Sequence, residues 1–141
     1  MTLARRWPIT VFAIFLGGCL LDAQQRPVLD EDVKAVHFEP LDYPLAARLS
    51  HTQGVVVVRV ALDSMGAVVS AEAISGAKSL IPESVANAKK WKFEPNLKAG
   101  AVIVYDFKIE GLCQLPCLSH YNFRPPNEAI VTMGEPVVDH Q

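Results

Sequence analysis

The sequence predicts an α+β fold in two layers. A three-stranded antiparallel sheet, in the order second, first, third, packs against one helix, with a short helix ahead of the first strand. Three observations carry this. Val55–Leu62 is a valine-rich run followed by turn residues and a second apolar run, which is the pattern of a hairpin. Ile81, Val85, Ala88 and Trp91 recur at four, three and three residues, which places them on one helical stripe. Ala101–Glu110 alternates with a period of two, as a strand with one dry face does.

The elements follow in chain order. Arg5 and Arg6 precede Pro8–Leu21, an almost unbroken apolar run of 14 residues. A bilayer span needs roughly 20, so the run reads as the core of an export signal over residues 1–23. An uncleaved anchor and a twin-arginine address are the alternatives. Leu16-Gly-Gly-Cys19 resembles a lipobox, with cleavage before Cys19 and lipidation of that residue; ordinary cleavage after Ala23 competes with it. Residues 24–39 are polar and proline-punctuated and read as a short linker.

Pro44 suits the start of a helix because its missing N–H is not needed there, and Leu45–Leu49 supplies one or two turns. In the first strand Val56, Val58, Val60 and Leu62 share one face, and Val55, Val57, Arg59 and Ala61 share the other. The first set is expected in the core. The second is unusually apolar for a face in water. Asp63-Ser-Met-Gly66 reads as a turn, with too few oxygen ligands after it for a calcium loop. Val68–Ile74 returns as the second strand. Pro82 and Glu83 suit the first turn of the main helix, and Lys89, Lys90 and Lys92 gather at its far end, where cations oppose the helix dipole. A phosphate- or membrane-binding patch is the alternative reading of these lysines. Pro95 ends the helical run.

In the third strand Ile103, Tyr105, Phe107 and Ile109 point one way, and Val102, Val104, Asp106, Lys108 and Glu110 the other. Residues 112–141 form a Cys- and Pro-containing extension. In it Tyr121 and Phe123 are expected to cover the sheet rather than to form a binding platform, and Ala129–Met133 has the pattern of one more short strand. Cys113 and Cys117 enclose three residues. In an oxidising compartment they are expected to form a disulfide; free thiols, or a metal held with His120, are the alternatives.

The function classes narrow accordingly. The formal net charge of −2 over 141 residues, with no basic stripe, disfavours nucleic acid. His37, His51, His120 and His140 are scattered without a nucleophile, base or metal spacing, so neither catalysis nor a cofactor or metal is expected. With the first strand central, the third lies at an edge with unpaired backbone groups, open to a partner's extended segment. Val102, Val104, Asp106, Lys108 and Glu110 are the candidate partner-binding residues.

Tyr43-Pro44, Gly54-x-Val-x-Val, Asp63-x-x-Gly66-x-Val68, Trp91-x-Phe93-x-Pro95 and the final strand occur in an order that resembles the C-terminal domain of the TonB energy-transducer family, over residues 40–111. The resemblance implies a domain of the cell envelope, in the periplasm of a Gram-negative-type bacterium. It also implies transport by way of a TonB-dependent outer-membrane receptor, whose segment binds along the last strand. Full transducers carry a membrane helix with a motor-contacting histidine and a long proline-rich linker. The apolar segment here lacks histidine, and the lead-in Gln24–Asp42 reaches roughly 65 Å at most. An exported structural or adaptor domain, self-associating as a homodimer or binding another envelope protein without energy transduction, is the alternative. Membrane contact is expected only through a lipid or an uncleaved anchor.

Overall fold

A computed structural model describes residues 33–137 of the chain. The expected export signal, Cys19 and residues 24–32 of the linker lie outside the described residues. Among the described helices none is long and apolar enough to cross a membrane.

The centre of the molecule is a hairpin. β2 (Gly54–Leu62) extends because its β-branched residues crowd a helix but fit a pleated surface. Val56, Val58, Val60 and Leu62 are buried together on one face. The turn is closed by Asp63, whose Oδ1 accepts from the N–H of Met65 and of Ala67, both at 2.9 Å. Gly66 sits at φ +80°, and a Cβ there would run into the carbonyl of Phe93. Only glycine fits that close approach. β3 (Val68–Ser75) then runs back antiparallel to β2.

α2 (Ile81–Ala88) packs across this hairpin with Ser84, Asn87 and Ala88 buried. It ends sooner than the lysine cluster implied. Lys89 is its C-cap and no basic residue lies in its last turn. Trp91, 1% exposed, follows the helix and plugs the core, and Lys92–Phe93 forms β4. β4 pairs with β1 (Ala35–His37) in a small separate sheet. The short helix α1 (Leu45–Leu49) is capped by Pro44 and buries Ala47, while Leu45 and Leu49 stay exposed.

The expected three-stranded sheet of order 2-1-3 against one helix is overturned. The main sheet has five strands in the order β3-β2-β5-β7-β6, with mixed pairing. Here β5 is Gly100–Cys113, β6 is His120–Arg124 and β7 is Glu128–Pro136. The chain leaves β5, returns as β6, turns again, and slots β7 between the two, parallel to β5 and antiparallel to β6. The physical cause is in β7 itself. Ala129, Val131 and Met133 recur with period two and are buried beside Phe107 and Tyr105 in one continuous core. An edge left open beside so apolar a face is unfavourable when a matching strand is tethered nearby.

Candidate docking edges

The five residues expected to bind a partner are on one face of β5, but their backbone is not free. β2 pairs with β5 from Gly54↔Phe107 to Ala61↔Gly100. On the opposite side, Val104, Asp106 and Lys108 stand in register with Glu128, Ile130 and Thr132 of β7. Val102 precedes the start of β7, and Glu110 falls in the irregular stretch between Ile109 and Leu112. Asp106 and Lys108 pair with each other at 3.2 Å. Val57 and Val104 face one another across the two strands and are 6% and 9% exposed, whereas Val55, on the same face, is 47% exposed. The apolar character of this face, noted from the sequence, is therefore concentrated in one shielded pair.

The hairpin β6–β7 is fastened at both ends. At one end Asn127, 1% exposed, donates from Nδ2 to the carbonyl of Val33 at 2.8 Å. Its Oδ1 accepts the N–H of Ala35 at 3.2 Å, and its own carbonyl accepts the N–H of Val104 at 3.1 Å. At the other end Cys113 and Cys117 form a disulfide, which removes them as metal ligands with His120. Arg48 on α1 donates to the carbonyl of Cys117 at 3.3 Å, and the N–H of Tyr43 donates to Ser119 Oγ at 2.9 Å. Among the described residues no group of three His, Cys, Asp or Glu side chains is placed to hold a metal ion.

The core side of the sheet is organised by a buried amide that the sequence reading passed over. Asn87 Oδ1 accepts from Trp91 Nε1 and from the Tyr105 hydroxyl, each at 2.9 Å. Its Nδ2 donates to the carbonyls of Glu39 and Pro40 at 2.9 and 3.3 Å. A polar residue inside the stripe of Val85, Ala88 and Trp91 was the signal that could have found it. Burial pushes the Tyr105 phenol far above its usual range, with the neighbouring Tyr121 adding to the shift. Burial also pushes Tyr121 up to about 12, and its hydroxyl is buried with no hydrogen-bond partner among the described residues.

Two strands of the main sheet remain outermost. β6 is five residues long and runs into Pro125 and Pro126. Its core-side rings, Tyr121 and Phe123, lie under Phe38 with ring centroids 6.0 and 4.3 Å apart. β3 is eight residues long, and Val69, Glu72 and Ile74 are exposed. Prolines shorten an edge and blunt its use for pairing, so β3 is the longer and less protected of the two.

The model of the family described as Gram-negative bacterial TonB protein C-terminal matches residues 39–110, just over half of the chain. Comparison with curated proteins and with solved structures finds no match.

Proposed function

Because the chain belongs to the family of TonB protein C-terminal domains, we propose that it is a protein-docking component of TonB-dependent transport in the cell envelope. It captures an extended segment of an outer-membrane receptor, or of another envelope protein, by strand addition. The observation that carries the reading is the outer strand β3, which lies within the family-matched region and, beyond the Ala67↔Lys92 bridge just before its start, pairs with no strand on its outer side among the described residues. Main-chain hydrogen bonds there supply affinity, and alternate side chains supply specificity.

Strand addition at Val102, Val104, Asp106, Lys108 and Glu110 requires β7 to leave β5. That route re-exposes Val131 and Met133, at about 1.5–3 kcal/mol each. Addition at an outer edge has no such cost and is the favoured route.

The occupied β5 edge also supports a second reading, an exported adaptor that binds an envelope protein or a second copy of itself without transducing energy. Retention of the full chain by an immobilised TonB-box peptide, with slowed amide exchange along one strand, is the expected result. A stable self-assembly that the free peptide does not compete with would favour the adaptor and count against receptor docking.

A further inference from the structure

We propose that the seam between β3 and α2 is the docking site, and that its ligand is a short extended segment with a basic residue between apolar ones. The inference rests on the strand-capture reading above and names its edge and its chemistry.

The geometry of α2 sets the seam. Asn87 faces β5, since its Oδ1 takes the Tyr105 hydroxyl. At roughly 100° per residue, Ile81 and Val85 lie about 120° and 160° around the helix from Asn87. With strand order β3-β2-β5, that flank overhangs β3. Both side chains are half-buried, as are Val68 and Ala71 on the strand beneath. An apolar strip therefore runs beside an edge that, past the Ala67↔Lys92 bridge, has no paired strand among the described residues. An incoming strand would bury that strip while pairing its own amides with β3.

The length of the ligand follows from the register. Ser70, Ala71, Glu72 and Ala73 pair regularly with Ala61, Val60, Arg59 and Val58, and the register shifts on either side of this stretch. Four regular residues accept a segment of about four to six, because bulges turn the rest of the strand away. Its charge follows from Glu72. This carboxylate is exposed on the opposite face of the sheet and forms no ion pair among the described residues, with Arg59 the residue across from it on β2. A strand added outside β3 places a side chain next to Glu72, and an opposite charge there is favoured. Pairing with β3 of a second copy brings two Glu72 carboxylates into one short stretch, which opposes that occupant.

Two synthetic probes decide the matter: an alternating Val-Lys hexapeptide and an alternating Val-Glu hexapeptide, titrated into the full chain while amide exchange is followed by NMR. The expected result is slowed exchange within β3 and at least tenfold tighter binding of the Val-Lys peptide. Glu72→Lys inverts that preference, Glu72→Gln abolishes it, and Val85→Ser weakens both peptides alike. Equal affinities that ignore substitution at Glu72, or protection of β6 or β5 in place of β3, overturn the inference and leave strand capture standing. No protection anywhere by either peptide overturns both. Concentration-dependent protection of β3 without peptide makes the occupant a second copy and overturns the inference as well.

Discussion

β5 is held on its two sides by different kinds of partner. β2 reaches it antiparallel, from within the family-matched region, through valines that alternate in and out of the core. β7 reaches it in parallel, from beyond that region, at the end of a detour through a disulfide loop and a second outer strand. Yet the core does not distinguish them. Val58 and Val60 on one side and Ala129 and Val131 on the other are all essentially inaccessible. The difference shows that β6 and β7 are built into the sheet beside the family-matched strands and share one core with them.

The equivalence can be broken most forcefully at Val131. Val131→Asp buries a charge with no partner, and urea unfolding should show a loss of about 3–5 kcal/mol. A loss under about 1 kcal/mol would make β7 dispensable. Asn127→Ala comes next. It leaves the buried Val33 carbonyl and the part-buried Ala35 amide without their partner, and a loss of about 2–3 kcal/mol is expected, from about 1–3 kcal/mol for the buried group and less for the part-buried one. Cys113→Ser opens a loop that encloses only three residues, so the loss should be about 2 kcal/mol or less. Exchange protection should fall on β7 before it falls on β2.

The smallest effect at neutral pH belongs to Tyr121. Its buried hydroxyl has no partner among the described residues, so Tyr121→Phe should shift stability by less than about 1 kcal/mol. In alkali the residue matters more. Its phenol titrates near 12 in the folded chain against 10.0 for the free group, so the folded state favours the neutral form. That contribution is complete below pH 10 and is lost as pH rises from 10 towards about 12. Tyr105, shifted in the same direction, adds to the loss. Tyrosinate absorbance should therefore rise together with unfolding, and Tyr121→Phe should flatten part of the pH dependence. A phenol that titrates reversibly near 10 without unfolding would contradict its burial.

Much of the family-matched region was legible because its signals are local. Four successive valines, Asp63 and Gly66 in a turn, and a helical stripe through Ile81, Val85 and Ala88 each act within a few residues. Asn87 was missed because its value lies in four partners spread from Glu39 to Tyr105. The pairing of β5 on both sides was not legible for a related reason. Whether β5 has an open side depends on Ala129, Val131 and Met133, and their period-two pattern says strand without saying which strand it joins.

By itself the sequence determined the hairpin, its turn, the helix across it and the alternation of β5, since propensity and periodicity are properties of adjacent residues. It also carried the ordered motifs of the TonB C-terminal family. Only the tertiary structure decided that β7 sits between β5 and β6 and that β3 is left with the longer open edge. Strand pairing depends on which apolar faces meet after the chain has turned back twice, and no local pattern records that meeting.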